Sequence, residues 1–460
     1  MKRTVFMIAL LIILTSVTVI FAQGQVAVET TPTGPVTIDF WTTETQSDRM
    51  ATIQVLIDTF SALNPDITVN LVPVDENDLV VQAQTAYATK SLPALFEAPA
   101  ETAVSFGTQG ISDIATTTKL IEKIGKDRFY SGPLKVLETT GKGSYYALPY
   151  HGWIQGIWYR SDWFEAAGLE PPTTWDNILK AAKYFYKPEQ NQYGILVGTL
   201  PEAYTEQCFT PIAMSNGAAL FDASKHLVFN SPKMKEAIEF YAELAKYNPP
   251  GPQTWRARDY YMQGKMAMFF YSTYIMDDLA LQEAAMGSLT GDNFKDLVGA
   301  DFNPDLVNNT GVASIVTNTS SAGYGTVVAL GLFKQDDPAK TAAAQKFLEY
   351  LFTPNAYITF LHMAPGGMNP MLKEIATNTR FQNDPTGTFK RYGKEKMAEI
   401  INGLENIETF SIVGGNRIEA ASEITAKQIL PQMLYKVTQE NMNVTDAMAW
   451  AEAEMKKLIK

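Results

Sequence analysis

VTIDFWTTETQSDRMATIQVLIDTFSALNPDITVNLVPV, residues 36–74, is the stretch on which the fold reading rests. Its opening, Val36–Trp41, has the β-branched and aromatic content of a strand. Ser47 or Asp48 can then cap a helix whose apolar residues, Met50, Ile53, Leu56, Ile57, Phe60 and Leu63, recur close to a 3.6-residue period. Asn64-Pro65 ends that helix, because proline disfavours the helical conformation in the residue before it. Ile67–Val74 reads as a second strand. Strand, helix and strand within about 40 residues imply a right-handed crossover onto a parallel sheet. The fold class is α/β.

Downstream the alternation continues. Helices are expected at 82–89, at 176–185 (opened by Thr174-Trp175-Asp176), at 233–247, at 338–352 and at 420–441, the last bent or interrupted near Pro431. Strands are expected at 94–96, 145–149 and 327–333, and at 265–271 (KMAMFFY), apolar throughout as a strand covered on both faces would be.

Upstream of Val36, the polar segment GQVAVETTPTGP (24–35) reads as a flexible leader, counted from residue 23. Before it, Lys2 and Arg3 precede an apolar run from Val5 to Phe21, with Ala22-Gln23 at a suitable cleavage point. Residues 1–22 are therefore expected to be a cleaved signal peptide, since about 17 apolar residues fall at the short end of a span of about 20. The sole cysteine, Cys208, permits no intramolecular disulfide and makes thiol-ligated metal sites improbable. A lipid-modified export signal needs a cysteine after the cleavage point, and none is present there. The expected product is secreted, periplasmic and not lipid-anchored. Its formal charge is −12 for the whole chain and the sequence has no basic cluster of the kind that drives binding to nucleic acid or anionic lipid.

Six segments in order carry a family resemblance: VTIDFW (36–41), GKGSYYALPY (141–150), GIWYRSDWFEAAGLEPPTTWDNILKAAK (156–183), GKMAMFFYSTY (264–274), DDPAKTAAAQKFLEYLFTP (336–354) and ILPQMLYKVTQENMNVTDAMAWAEAEM (429–455). Together they resemble the extracellular solute-binding proteins of ABC sugar importers, the maltose-binding-protein-like group. The resemblance covers nearly the whole chain after residue 35. It implies a two-lobe periplasmic-binding-protein fold (type II-like), with a hinge and an interlobe cleft that closes on its ligand. The lobes are expected at 36–145 plus 325–366 and at 146–324 plus 367–460. It further implies a carbohydrate ligand, delivery to the membrane subunits of an ABC importer, a monomeric state and no cofactor, metal or catalysis.

A sugar lays its C–H face on an aromatic ring while its hydroxyls need fixed polar partners. Candidates are therefore aromatics beside polar residues in loops that follow strands. Trp41, Thr43, Glu44 and Gln46 follow the first strand, in a loop from which the resembling family binds sugar hydroxyls. Glu97 and Glu101 follow the third, where the family often pairs an acid with an aromatic; Ala98 stands in the aromatic's place. Tyr150, His151 and Trp153 follow the crossover between lobes; His151 alone fits a structural role as well as a contact. Tyr204, Gln207, Tyr271 and Tyr274 are second-lobe candidates, Tyr274 standing where relatives carry a stacking tryptophan. Trp255, near Arg256 and Arg258, can stack on a sugar bearing a carboxylate or simply staple a loop. Asn369, Asn416 and Arg417 adjoin glycine-rich turns that can present backbone amides. Trp158, Trp163, Trp175 and Trp450 are expected in the core.

Two rival readings remain. Glu44 with Glu97 or Glu101 could form the carboxylate pair of a glycoside-acting enzyme, but no serine elbow, phosphate loop or HExxH spacing accompanies them. The same acids could serve a binding protein for a polyamine or peptide.

Overall fold

The computed structural model describes residues 34–404, 407–413 and 416–459. The expected signal peptide and most of the leader lie outside these residues, as does the Gly414-Gly415 turn.

Nine strands share one mixed sheet: β1 (Val36–Thr42), β2 (Ile67–Pro73), β3 (Leu95–Pro99), β4 (Leu148–Arg160), β5 (Met268–Ser272), β6 (Thr310–Ala313), β7 (Ile315–Thr317), β8 (Ser321–Leu332) and β9 (Asn369–Pro370). Helices used below are α1 (Ser47–Leu63), α2 (Ala100–Thr108), α3 (Ala203–Ser215), α4 (Ile275–Ala280), α5 (Pro338–Leu351), α6 (Glu419–Ala426) and α7 (Ile429–Thr438). Along the main path the order is β2-β1-β3-β8-β4-β5. β1 pairs in parallel with both β2 and β3, as the opening strand–helix–strand stretch requires.

Two long strands join the halves. β8 pairs with β3 through its C-terminal part, Val328–Leu332, and with β4 through Tyr324–Leu330. β4 meets β8 through its first part and β5 and β6 through Gln155–Arg160. Both strands therefore pass between the end built on β1–β3 and the end built on β5 and β6, and the cleft lies beside them. On the first end α1 buries Ile53, Leu56, Ile57 and Phe60, with Phe60 edge-on to Phe347 of α5 at 5.0 Å between ring centroids. Buried side chains form one continuous apolar cluster.

Local departures from expectation have identifiable causes. α1 starts at Ser47 with Gln46 as its N-cap, and the Gln46 side chain makes no capping bond. The expected 420–441 helix is two helices, because Gln428 adopts a left-handed backbone (φ 52°) between α6 and α7. Pro431 then sits in the first turn of α7, where a missing N–H costs little. Thr174 caps the helix Trp175–Phe185, accepting from the Asn177 N–H at 3.2 Å. The four tryptophans assigned to packing are variously placed: Trp158 is buried and donates to the Tyr271 carbonyl, and Trp175 stacks on Phe240 at 4.0 Å. Trp163 and Trp450 are half-buried against the core. Cys208, on α3, has no exposure, and burial pushes its thiol up to about 12.

Candidate functional site

A cavity of about 580 Å³ opens between the two ends of the molecule. Seven of the expected site residues line it: Gln46, Trp153, Tyr204, Gln207, Trp255, Tyr271 and Tyr274. Each is placed by a local device. Gln46 is free to face the cavity because it does not cap α1. Trp153 owes its direction to a β-bulge: the β4 register shifts between Pro149 and His151, leaving Tyr150 unpaired and setting the alternation of the residues after it. Tyr274 follows β5 and lies against Gly367, where an added Cβ would fall 2.3 Å from its ring. The glycine-rich 366–367 turn thus seats an aromatic, rather than offering amides to the cavity.

The walls also carry charges, of which only Arg256 and Arg258 were singled out from the sequence. Arg49 of α1 pairs with Glu44 at 2.7 Å, and its guanidinium stands 5.4 Å from the centroid of the Tyr274 ring. That contact joins the β1–β3 end to the β5 end. Arg258 pairs with Asp278 of α4 at 3.1 Å and donates to the Tyr271 hydroxyl at 3.2 Å and to Ser288 Oγ at 3.0 Å. It also lies near the ring of Trp255, as does Arg256, at 5.6 and 5.2 Å. Asp48, Glu76, Asn77, Glu202, Ser272 and Asp277 add to the polar lining.

Burial raises the Asp278 carboxyl; Arg258 pulls it back and Asp277 adds to the rise. Burial likewise raises Asp277. Glu76 keeps access to cleft water, yet desolvation between the walls, with Glu44, Asp75 and Glu97 adding, lifts it to about 7. Burial and the neighbouring Glu97 raise Glu44 against the pull of Arg49. A cleft that holds several carboxyls away from their ordinary range is a common mark of a ligand site.

The remaining expected contacts lie elsewhere. Trp41 is half-buried against the core. Thr43 is not among the lining residues. Tyr150 is buried, stacked on Tyr357 at 4.8 Å and donating to the Leu351 carbonyl. His151 and Glu97 are buried together behind the cavity, 3.1 Å apart, with the Thr42 hydroxyl donating to Glu97. Glu44 stands beside them, so that Glu44, Glu97 and His151 bring potential metal-ligand atoms within 4.8 Å of one another. Hydrogen bonds from Thr42 and Arg49 already engage those carboxylates. Asn369 is buried, its amide donating to the carbonyls of Gly366 (2.7 Å) and Gly152 (3.2 Å). Asn416, in a two-stranded ribbon with Ile412-Val413, is exposed. Glu101 and Arg417 meet each other at 3.0 Å, with Ser411 and Ser422 also donating to Glu101. They tie α2 to α6 and do not line the cavity.

The bacterial extracellular solute-binding protein family matches over residues 43–358. A putative ABC transporter periplasmic-binding protein of Escherichia coli, YcjN, is 28% identical over 425 residues, covering 92% of this chain and 93% of its own. A solute-binding protein of Thermotoga lettingae bound with α-D-tagatose superposes with a TM-score of 0.72 at 20% identity, covering 92% of this chain and 99% of that one. One of Agrobacterium radiobacter in complex with ribitol gives 0.71 at 21% identity, covering 93% and 100%. The likeness in fold thus extends over both halves and the crossover strands.

Proposed function

Because the chain belongs to the bacterial extracellular solute-binding protein family, we propose that it captures a carbohydrate between its lobes and delivers it to an ABC importer. One observation carries this reading: the rings of Trp153, Trp255, Tyr271 and Tyr274 and polar groups from both halves converge on a single cavity of about 580 Å³. That combination suits a molecule with apolar C–H faces and hydroxyl edges. The sugar and polyol carried by the two structural neighbours point the same way.

The mechanism is binding without turnover. Ligand that touches both walls interacts more strongly with the closed form than the open one, so it shifts the equilibrium toward closure by that difference in affinity. β4 and β8 are the natural hinge, since among the described residues they are the strands that run through both ends of the sheet. The proposed lobes are 36–145 plus 325–366 and 146–324 plus 367–460, and the proposed place of action is the periplasm, reached through the 1–22 signal peptide. No helix among the described residues is long and apolar enough to cross a membrane.

Thermal-shift screening of the mature chain against mono-, oligosaccharides and polyols tests the reading. A bound ligand at 100 times its Kd adds about 2.7 kcal/mol of stability, and it should be recovered chemically unchanged. Stabilisation by a diamine or peptide, with no saccharide or polyol active, would refute it.

A further inference from the structure

Among the described residues three arginines line the cavity, and they differ in how far their contacts reach. Arg258 meets Asp278, Ser288, Tyr271 and Trp255, and Arg256 meets the Gly287 carbonyl and Trp255, all within the proposed lobe 146–324 plus 367–460. Arg49 instead spans the cleft. Its guanidinium donates to Glu44 on its own end at 2.7 Å and stands over the ring of Tyr274, on the opposite wall, 5.4 Å from the centroid. The charge of Asp277, three residues on from Tyr274, attracts it to the same wall. The Arg49 side chain is 15% exposed, so water and salt screen these attractions less than at an open surface.

The anchor of Arg49 is itself held. Glu44 is buried, and its backbone N–H donates to Thr42 Oγ1 at 3.1 Å. The Thr42 hydroxyl donates to Glu97 of β3, which faces His151 of the crossover strand β4 at 3.1 Å. Arg49 therefore has little freedom left to lose when Tyr274 approaches, and a contact between preorganised groups keeps more of its strength.

We propose that Arg49 is a latch: its contact with the Tyr274 ring holds the two ends of the molecule together before a ligand arrives, with Glu44 as the positioning residue that aims it. The inference rests on ligand capture by lobe closure, as proposed above, and adds the protein contact that sets the resting balance between the open and closed forms. A contact made only in the closed form shifts that balance by its own strength, as a ligand does. A cation over an aromatic face, partly removed from water, is worth a shift of about three- to thirtyfold. The closed population in turn scales the apparent affinity for whatever the closed form binds.

The test is small-angle X-ray scattering of the mature protein without ligand. Tyr274→Leu removes the ring and should enlarge the radius of gyration, the closed-to-open ratio falling about threefold or more. Tyr274→Phe keeps the ring face and should scatter like wild type. Glu44→Gln loosens the anchor without touching the ring; it should open the protein as Tyr274→Leu does, and it replaces that variant where thermal unfolding shows poor folding. Arg49→Gln combined with Tyr274→Leu should open the protein no further than either change alone, because both remove one contact. The inference is overturned if wild type already fits the open form, if Tyr274→Leu and Glu44→Gln keep the wild-type curve, or if Tyr274→Phe opens the protein as fully as Tyr274→Leu. A double variant that opens by the sum of its two parts overturns it as well. None of these arms uses a sugar, so each result leaves the carbohydrate reading, judged by thermal-shift screening, where it stood.

Discussion

Glu101 and Asp278 each face an arginine, at 3.0 and 3.1 Å, yet they behave as opposites. Glu101 also accepts from the hydroxyls of Ser411 and Ser422, and although desolvation opposes it, Arg417 and those hydroxyls hold its half-buried carboxyl below the ordinary range. Asp278 has one oxygen with no donor, and burial, with the neighbouring acid Asp277 adding to it, raises its carboxyl. The difference teaches that a buried acid–arginine pair has no fixed meaning. A carboxylate whose lone pairs are met within the protein holds two helices together, whereas one left short is waiting for something from outside.

The largest effect should come from breaking the pair whose carboxylate is fully met. Glu101→Gln leaves Arg417 buried without its counter-charge and should cost about 3–5 kcal/mol. A calorimetric scan would show Tm lowered by many degrees, while titration below that Tm would show ligand affinity within about twofold of wild type, since Glu101 does not line the cavity. The cleft side should give the reverse pattern. Trp255→Ala removes a ring that is 44% exposed, so Tm should hardly move. Losing its stacking, about 0.5–1.5 kcal/mol, should weaken saccharide binding up to about tenfold; unchanged affinity would remove Trp255 from the site.

The pH dependence sharpens the contrast at smaller amplitude. Glu101, whose folded pKa is lowered, contributes stability above the unfolded carboxylate pKa of about 4.3, which is lost as the pH falls through the folded value. Glu76, raised to about 7, does the opposite: its contribution is full below about 4.3 and disappears as the pH rises to about 7. Glu76→Gln should therefore flatten the ligand-free Tm profile between those pH values. The change should be slight, because cleft water screens this exposed side chain.

Much of the fold was legible in local pattern. The 36–74 stretch announces β1, α1 and β2 through period and proline placement, and aromatics after strands pointed to Trp153, Tyr271 and Tyr274 at the cavity. Arg49 and the acids of the walls were not legible. Arg49 reads as an ordinary helix-surface cation, and Asp277-Asp278 read as acids at the start of a helix. Glu101 and Arg417 lie 316 residues apart, so nothing local reveals that each already has the other. Tyr150 was misread for a subtler reason, since one bulged residue in β4 sends it to the core and its neighbour Trp153 to the cavity.

The position of Cys208 turns the protein into its own reporter. The thiol lies on the helix whose Tyr204 and Gln207 face the cavity, and it is sealed beneath that surface. A thiol reagent can reach it only through transient opening of this region, because so little thiolate exists in the closed state. Labelling speed with and without a saccharide should then measure how far that guest suppresses local opening, with no engineered probe and no second cysteine to confuse the signal.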